Sequence, residues 1–297
     1  MNSREQIEAM HKIQSYIDHH LRDVMTLQMI SKIAGYSPSQ TERLFKEVTG
    51  KNLFEYIRAM RLTDAAKSLR SDQNQRIIDI SLDYVFDSHE GFTRAFSKEF
   101  GISPKRYQQK PIPVPYFISY DILGRYLFNN RKEVERMESK TVFVQVVERP
   151  RRKAIIKRGI KATEYFQYCE EVGCDVWGIF ESIPNALYEP AGFWLPKEMI
   201  PEGTSEYVQG VEVPFNNQGV VPEGFDVITL EPTLMMIFQG EPYKDEDFME
   251  EIPIVQKHIE SFDPKLYGYA WDNKQPRFQL NPLGYRGYIE AKPVKKL

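Results

Sequence analysis

The 297 residues include only two cysteines, Cys169 and Cys174, and five histidines. Two thiols five positions apart are too few for a disulfide framework or a four-ligand zinc site. They read as incidental thiols, with a redox pair as the alternative. Long apolar runs are also missing. No stretch approaches the roughly 18 residues that a membrane span needs, and Met1 to Leu21 is charged and periodic, unlike a secretion signal. The expectation is a cytoplasmic protein with no membrane partner. There is no Ser-His-Asp set, no phosphate-binding glycine loop and no metal-ligand cluster, and the second half holds a single imidazole, His258. These absences predict no catalytic residues, no metal and no cofactor.

An overall basic excess, the usual footprint of a nucleic-acid binder, is lacking too: the formal charge is −3. Cutting the chain after Lys110 changes the picture. The first part holds 17 lysines and arginines against 14 acids, a net +3, which leaves 22 against 28, or −6, for the remainder. That asymmetry assigns any contact with double-stranded DNA to the first part.

The cut falls at Lys110-Pro-Ile-Pro-Val-Pro115, where alternating prolines remove backbone donors and disfavour helix. It reads as an interdomain linker. A connecting helix is expected across Tyr116 to Lys140, ending in the charged run Arg131 to Arg136. The domains are therefore expected at 1–110, 111–140 (linker and connecting helix) and 141–297.

Before the linker the period is helical. Ile7, Met10, Ile13, Ile17 and Leu21 make one apolar stripe. A second helix starts at Thr26 as N-cap and ends at Gly35, a residue suited to a left-handed C-terminal position. In Tyr36-Ser37-Pro38, a capping hydroxyl precedes a proline at the first helical position, and Thr41, Leu44, Phe45 and Val48 form the next buried face before Gly50. Two helices joined in this way make a helix-turn-helix whose second helix shows its outer face to base edges. A long helix through Phe54, Ile57, Met60, Leu62, Ala65, Ala66 and Leu69 should brace two such units. The same grammar returns about fifty residues later. Ile77, Ile80, Ser81 and Tyr84 support it, Phe86-Asp87-Ser88 repeats the turn and cap with one extra residue, and Phe92, Ala95, Phe96 and Phe100 repeat the buried face up to Gly101. The first domain is thus all-α with two helix-turn-helix units.

On the outer faces, Arg43 and Arg94 are the leading base readers, since a guanidinium pairs with guanine O6 and N7. Ser39, Gln40 and Glu42 accompany Arg43; His89, Glu90 and Thr93 accompany Arg94. Lys46, Arg58, Arg61, Lys98 and Arg106 are phosphate candidates, and phosphate holding is also the alternative for both reading arginines. Ser88 reads as a local cap. His19-His20 lies at a helix end, where cations are favoured, and carries no metal role.

Gly35-Tyr36-Ser37 through Arg43-Leu44-Phe45-Lys46, and Val85-Phe86-Asp87-Ser88 through Arg94-Ala95-Phe96 to Gly101-Ile-Ser-Pro104, resemble the DNA-binding domain of the AraC/XylS family of regulators. The likeness covers about Ile7 to Gln108 and departs at Val85, where the family usually has glycine. It implies two recognition helices in successive major-groove segments, and an activator that also meets RNA polymerase.

From Thr141 strands appear: Thr141 to Glu148, Lys153 to Arg158, Phe193 to Leu195, Tyr207 to Val213, Val227 to Leu230, Leu234 to Phe238, Arg277 to Leu280 and Gly287 to Val294. Helices are expected through Tyr165 to Val172 and Phe248 to Ile259. With Pro150 and Pro232 at corresponding turns, this suggests an α+β domain of two strand-helix-strand-strand repeats with a cleft between them. The arrangement, with Gly210-Val-Glu-Val213 and Gly240-Glu-Pro-Tyr243, is similar to the GyrI-like effector-binding domain. That resemblance implies a small amphipathic or aromatic effector, often cationic, held by aromatics and a buried carboxylate. The aromatic candidates are Trp177, Phe193, Trp194, Tyr207, Tyr269, Trp271 and Tyr288, and core packing is the alternative for each. Glu290 stands three residues before Pro293, where the family has four. This leaves Glu290 between pocket and solvent, with Glu212 as the rival carboxylate. Two other readings of this domain are an enzyme using Glu290 with Tyr288 or Tyr207 as acid and base, and a protein-partner module. A methyl-accepting repair regulator is excluded, because the DNA-binding part has no cysteine.

Overall fold

The computed structural model describes residues 4–119, 122–123, 126 and 140–297. It divides into two units, Met1–Arg131 and Lys132–Leu297.

In the first unit the helices are α1 (Arg4–His19), α2 (Leu27–Ala34), α3 (Pro38–Thr49), α4 (Leu53–Ser71), α5 (Ile77–Asp83), α6 (His89–Phe100) and α7 (Pro104–Gln109). α1 stops two residues short of Leu21, and the His19 and His20 rings bond to the Ser15 and Tyr16 carbonyls of its last turn. Two cores form. Met10, Ile13, Ile17, Ile30, Leu44, Phe45, Leu53, Tyr56 and Ile57 close the first, while Leu62, Ala65, Ala66, Leu69, Ile80, Phe92, Phe96, Phe100 and Tyr107 close the second. α4 therefore serves both, its first half in one core and its second half in the other, and so it has no single apolar stripe.

The proline-spaced segment is packed rather than free. Val114 and Tyr116 are buried in the second core and Ile122 in the first. The Tyr116 and Tyr107 hydroxyls lie 2.7 Å apart, and the Phe117 amide donates to Thr63 Oγ1. These residues belong with the helices, so the division falls after Arg131. Of the connecting helix expected across 116–140, residues 120–121, 124–125 and 127–139, including the charged run 131–136, lie outside the described residues.

Among its described residues the second unit is one antiparallel sheet with three α-helices. Its strands are β1 (Val142–Arg149), β2 (Arg152–Arg158), β3 (Ala191–Trp194), β4 (Tyr207–Pro214), β5 (Asp226–Leu230), β6 (Thr233–Gly240), β7 (Tyr269–Trp271), β8 (Arg277–Leu280) and β9 (Ile289–Lys296). The helices are α8 (Tyr165–Val172), α9 (Val176–Ser182) and α10 (Phe248–Ser261). Neither β7 nor the helical state of Trp177 to Phe180 in α9 was expected from periodicity, because both segments are too short to show one.

Strand order is β1-β6-β9-β8-β3-β4-β2-β5, with β7 beside β9. Only Pro150 and Arg151 join β1 to β2, and only Glu231 and Pro232 join β5 to β6. Each pair of strands stands far apart in the sheet order. Two residues span at most about 10 Å, whereas six flat strand spacings would measure about 29 Å. The sheet must therefore curl until its two ends meet. Arg149 at the end of β1 accordingly reaches Glu212 of β4 at 2.6 Å.

Register sorts the two faces. Ile155, Val211, Tyr207, Trp194, Arg277, Gln279, Glu290 and Phe238 share one face through successive pairings. α8 and α9 cover one half of that face and α10 the other. Ile156, Val208, Phe193, Phe278, Ala291 and Met235 fill the opposite face as one cluster.

Candidate nucleic-acid interface and ligand site

The two helix-turn-helix units repeat the hydrogen bonds of their turn. Gly35 takes φ 72° after α2, and the Tyr36 amide donates to Ser31 O. Val85 takes φ 60° after α5, and the Phe86 amide donates to Ser81 O. The turn that glycine would make easily is kept although its residue is β-branched. Ser37 caps α3 in a capping box with Gln40, and Ser88 caps α6 through the Gly91 amide. Asp87 is the one extra residue. Each recognition helix ends at a left-handed glycine, Gly50 or Gly101.

Ser39, Gln40, Glu42, Arg43 and Lys46 are all exposed on α3. Arg43 Nη1 lies 3.2 Å from Glu47 Oε1, an exposed pair that holds weakly and can yield to another acceptor. Gln40 Oε1 accepts from the Ser37 amide and hydroxyl, so reading adenine requires it to leave the capping box. On α6, Glu90, Arg94 and Lys98 are exposed and His89 is half-buried. The Thr93 hydroxyl is turned inward, buried without a hydrogen-bond partner among the described residues. Arg58 on α4 and Arg106 on α7 are exposed. Arg61 is placed differently: its Nε and Nη2 donate to the carbonyls of Leu21 and Asp23, and burial lowers its pKa. It closes the α1–α2 turn onto α4.

A clamp that sequence reasoning missed joins the two units. Tyr84, at the end of α5, donates to Asp64 at 2.7 Å and lies 3.0 Å from Ser68 Oγ, both on α4. Arg22 from the α1–α2 loop donates to the same hydroxyl and lies over the ring. The only sequence sign was a tyrosine in an apolar stripe, whose hydroxyl needs a partner when buried.

In the second unit, part of the expected aromatic set meets on the helix-covered face. Trp194 and Tyr207 stack edge to face with centroids 5.0 Å apart. Gln279 donates to the Tyr207 hydroxyl at 3.0 Å and accepts from Tyr288 at 2.8 Å. Tyr288 also meets Glu290 Oε2 at 3.0 Å, while Arg277 Nη1 lies 3.1 Å from Glu290 Oε1 and the Arg277 Cζ lies 4.0 Å from the Trp194 ring centroid. Gly192 is required here, because a Cβ would fall 2.0 Å from the Tyr207 hydroxyl. Burial pushes the Glu290 carboxyl above the usual range, opposed by Arg277, Tyr288 and Gln256.

Glu290 is therefore not in solvent; it is 1% exposed. Glu212 pairs with Ala154 across β2, on the opposite face. There it is held by Arg149 at 2.6 Å and Arg152 at 2.9 Å, and Arg149 stacks on Tyr188 and Phe278. It is a structural ion cluster away from the helix-covered face. Phe193 also faces the other way, against Phe278. Trp271 joins the edge of the α10 cluster with Tyr269, and Trp177 is half-buried on α9. Neither cysteine is in a disulfide; the Cys169 thiol bonds to Cys174, which with burial raises its pKa, the reverse of a reactive thiolate.

The paired units define a double helix-turn-helix protein. The helix-turn-helix domain family matches residues 30–110. The right origin-binding protein of Escherichia coli K12 is 42% identical over 96 residues, 32% of this chain and 33% of its own length. The transposon Tn10 TetD protein of Escherichia coli is 41% identical over 97 residues, 33% of this chain and 70% of TetD. The multiple antibiotic resistance protein MarA of Salmonella typhimurium LT2 is 32% identical over 108 residues, 36% of this chain and 84% of MarA. This chain belongs to the AraC family of helix-turn-helix transcriptional regulators. It matches about a third of the length of the right origin-binding protein.

Proposed function

We propose that the chain is a sequence-specific transcription regulator, an activator, whose α3 and α6 enter successive major-groove segments of one duplex. The observation that carries this is the repetition of the turn's hydrogen bond and of a serine cap ahead of two helices that each present an exposed arginine, Arg43 and Arg94. Helices reading adjacent groove segments sit about 34 Å apart, and the Tyr84 clamp is suited to holding such a spacing. Ser39, Glu42, His89 and Glu90 accompany the arginines at base edges. Lys46, Arg58, Lys98 and Arg106 hold phosphates. Contact with RNA polymerase and a cytoplasmic site of action follow from this role. Among the described residues no helix is long and apolar enough to cross a membrane.

The second unit, in this reading, is a GyrI-like domain holding a small aromatic or amphipathic effector at the Trp194–Tyr207–Tyr288–Glu290 network. Its strand order supports a duplicated unit, since exchanging β1 to β4 with β5, β6, β8 and β9 leaves the order unchanged.

Arg43→Ala and Arg94→Ala test the first part. Each should cost about 1–3 kcal/mol at a selected binding site and relax preference at one base pair. Equal weakening on every DNA sequence, in titrations on selected and scrambled duplexes, would assign both arginines to phosphates and remove the base-reading role.

A further inference from the structure

The ligand network has more positive than negative charge. Glu290 is flanked on the same face by two cations, each seated on an indole. Arg277 lies 4.0 Å above Trp194, and Lys292 lies 4.4 Å above Trp271. Arg277 already meets the one buried carboxylate at 3.1 Å, with Tyr288 on its second oxygen. Lys292 has no ion pair among the described residues; Glu290 and the exposed Glu260 on α10 attract it only at longer range. The place where a cationic ring would stack, between Trp194 and Glu290, is thus filled by the protein's own guanidinium. Burial lowers the pKa of Lys292, and repulsion from Arg277 adds to this against the weaker pull of Glu290 and Glu260.

Resting on the effector reading above, we propose that this site takes an aromatic anion, an aryl carboxylate or sulfonate, bound by Arg277 and Lys292 with its ring beside Trp271. A ligand carboxylate between the two cations relieves their repulsion and leaves the Arg277–Glu290 pair intact. A cation would first have to displace Arg277 and then face Lys292. Arg277 is 39% exposed, so its guanidinium is reachable from solvent while Glu290 beneath it is not.

The test is calorimetric titration of the full chain with two ligands of one ring and opposite charge, 2-naphthoate and (2-naphthyl)trimethylammonium. Naphthoate should bind at least about tenfold more tightly, the worth of one charge-assisted hydrogen bond. Lys292→Gln should weaken naphthoate by about tenfold, and Glu290→Gln should leave it bound as well or better. Because Arg277→Gln alone strands a buried carboxylate, the Arg277→Gln/Glu290→Gln double variant serves as its folded counterpart and should also lose naphthoate. Preference for the trimethylammonium compound, abolished by Glu290→Gln, overturns the proposal and leaves the effector reading standing. Binding of neither compound at millimolar concentration overturns both.

Discussion

Val85 is a β-branched residue at φ 60°, a region in which an L side chain crowds the following carbonyl oxygen. The fold accepts this strain to keep the second helix-turn-helix turn. Val85→Gly relieves about 1–2 kcal/mol of strain against an entropic loss of about 0.5–1 kcal/mol. A net gain of about 0.5–1 kcal/mol in denaturant unfolding of the first unit is the expected result, and a loss of stability would show that the valine side chain does more than strain the turn. Glu290 supplies a residue-scale prediction for the second unit. Its pKa is raised in the folded state, so the native protein binds more protons than the unfolded chain between the ordinary carboxylate range and that raised value. Wild-type stability relative to Glu290→Gln should therefore fall as pH rises through that window and level off above it. Denaturant titrations of both proteins from about pH 4 to 8 measure this, and a difference that grows with pH would reverse the sign assigned to burial.

At the scale of elements, the N-caps set where each recognition helix begins. Ser37 takes part in a reciprocal box with Gln40, while Ser88 makes a single capping bond to Gly91. Ser88→Ala should cost about 1 kcal/mol and Ser37→Ala more, up to about 2 kcal/mol, in thermal or denaturant unfolding. Equal costs would show that the box adds nothing beyond one bond. These caps were legible in the sequence because cap chemistry acts within a single turn: a serine ahead of Pro38, and glycines at positions 35, 50 and 101. The fate of Arg61 and Gln40 was not legible. An arginine on an outer helix face looks the same in sequence whether it points to solvent or curls back onto the Leu21 and Asp23 carbonyls.

Across the whole molecule, the packed segment after Lys110 changes where the chain divides. Val114, Tyr116 and Ile122 are nearly fully buried against the helical unit. A fragment ending at Lys110 forfeits roughly 1.5–3 kcal/mol for each of these side chains, whereas one ending at Arg131 keeps them. The longer fragment should fold and retain selective DNA binding, and the shorter should unfold at markedly lower denaturant. Equal midpoints would return the segment to the status of a linker. Sequence alone determined the helices and turns of the first unit and most strands of the second, because periodicity and capping are properties of neighbours along the chain. Only tertiary structure decided which distant residues meet: a sheet curled by two short proline links, Glu212 neutralised by arginines on one face, and Glu290 buried beside Arg277 on the other. A one-residue change of strand register moves a side chain through the sheet, and that register is set by pairings between segments far apart in the chain, which no local pattern records.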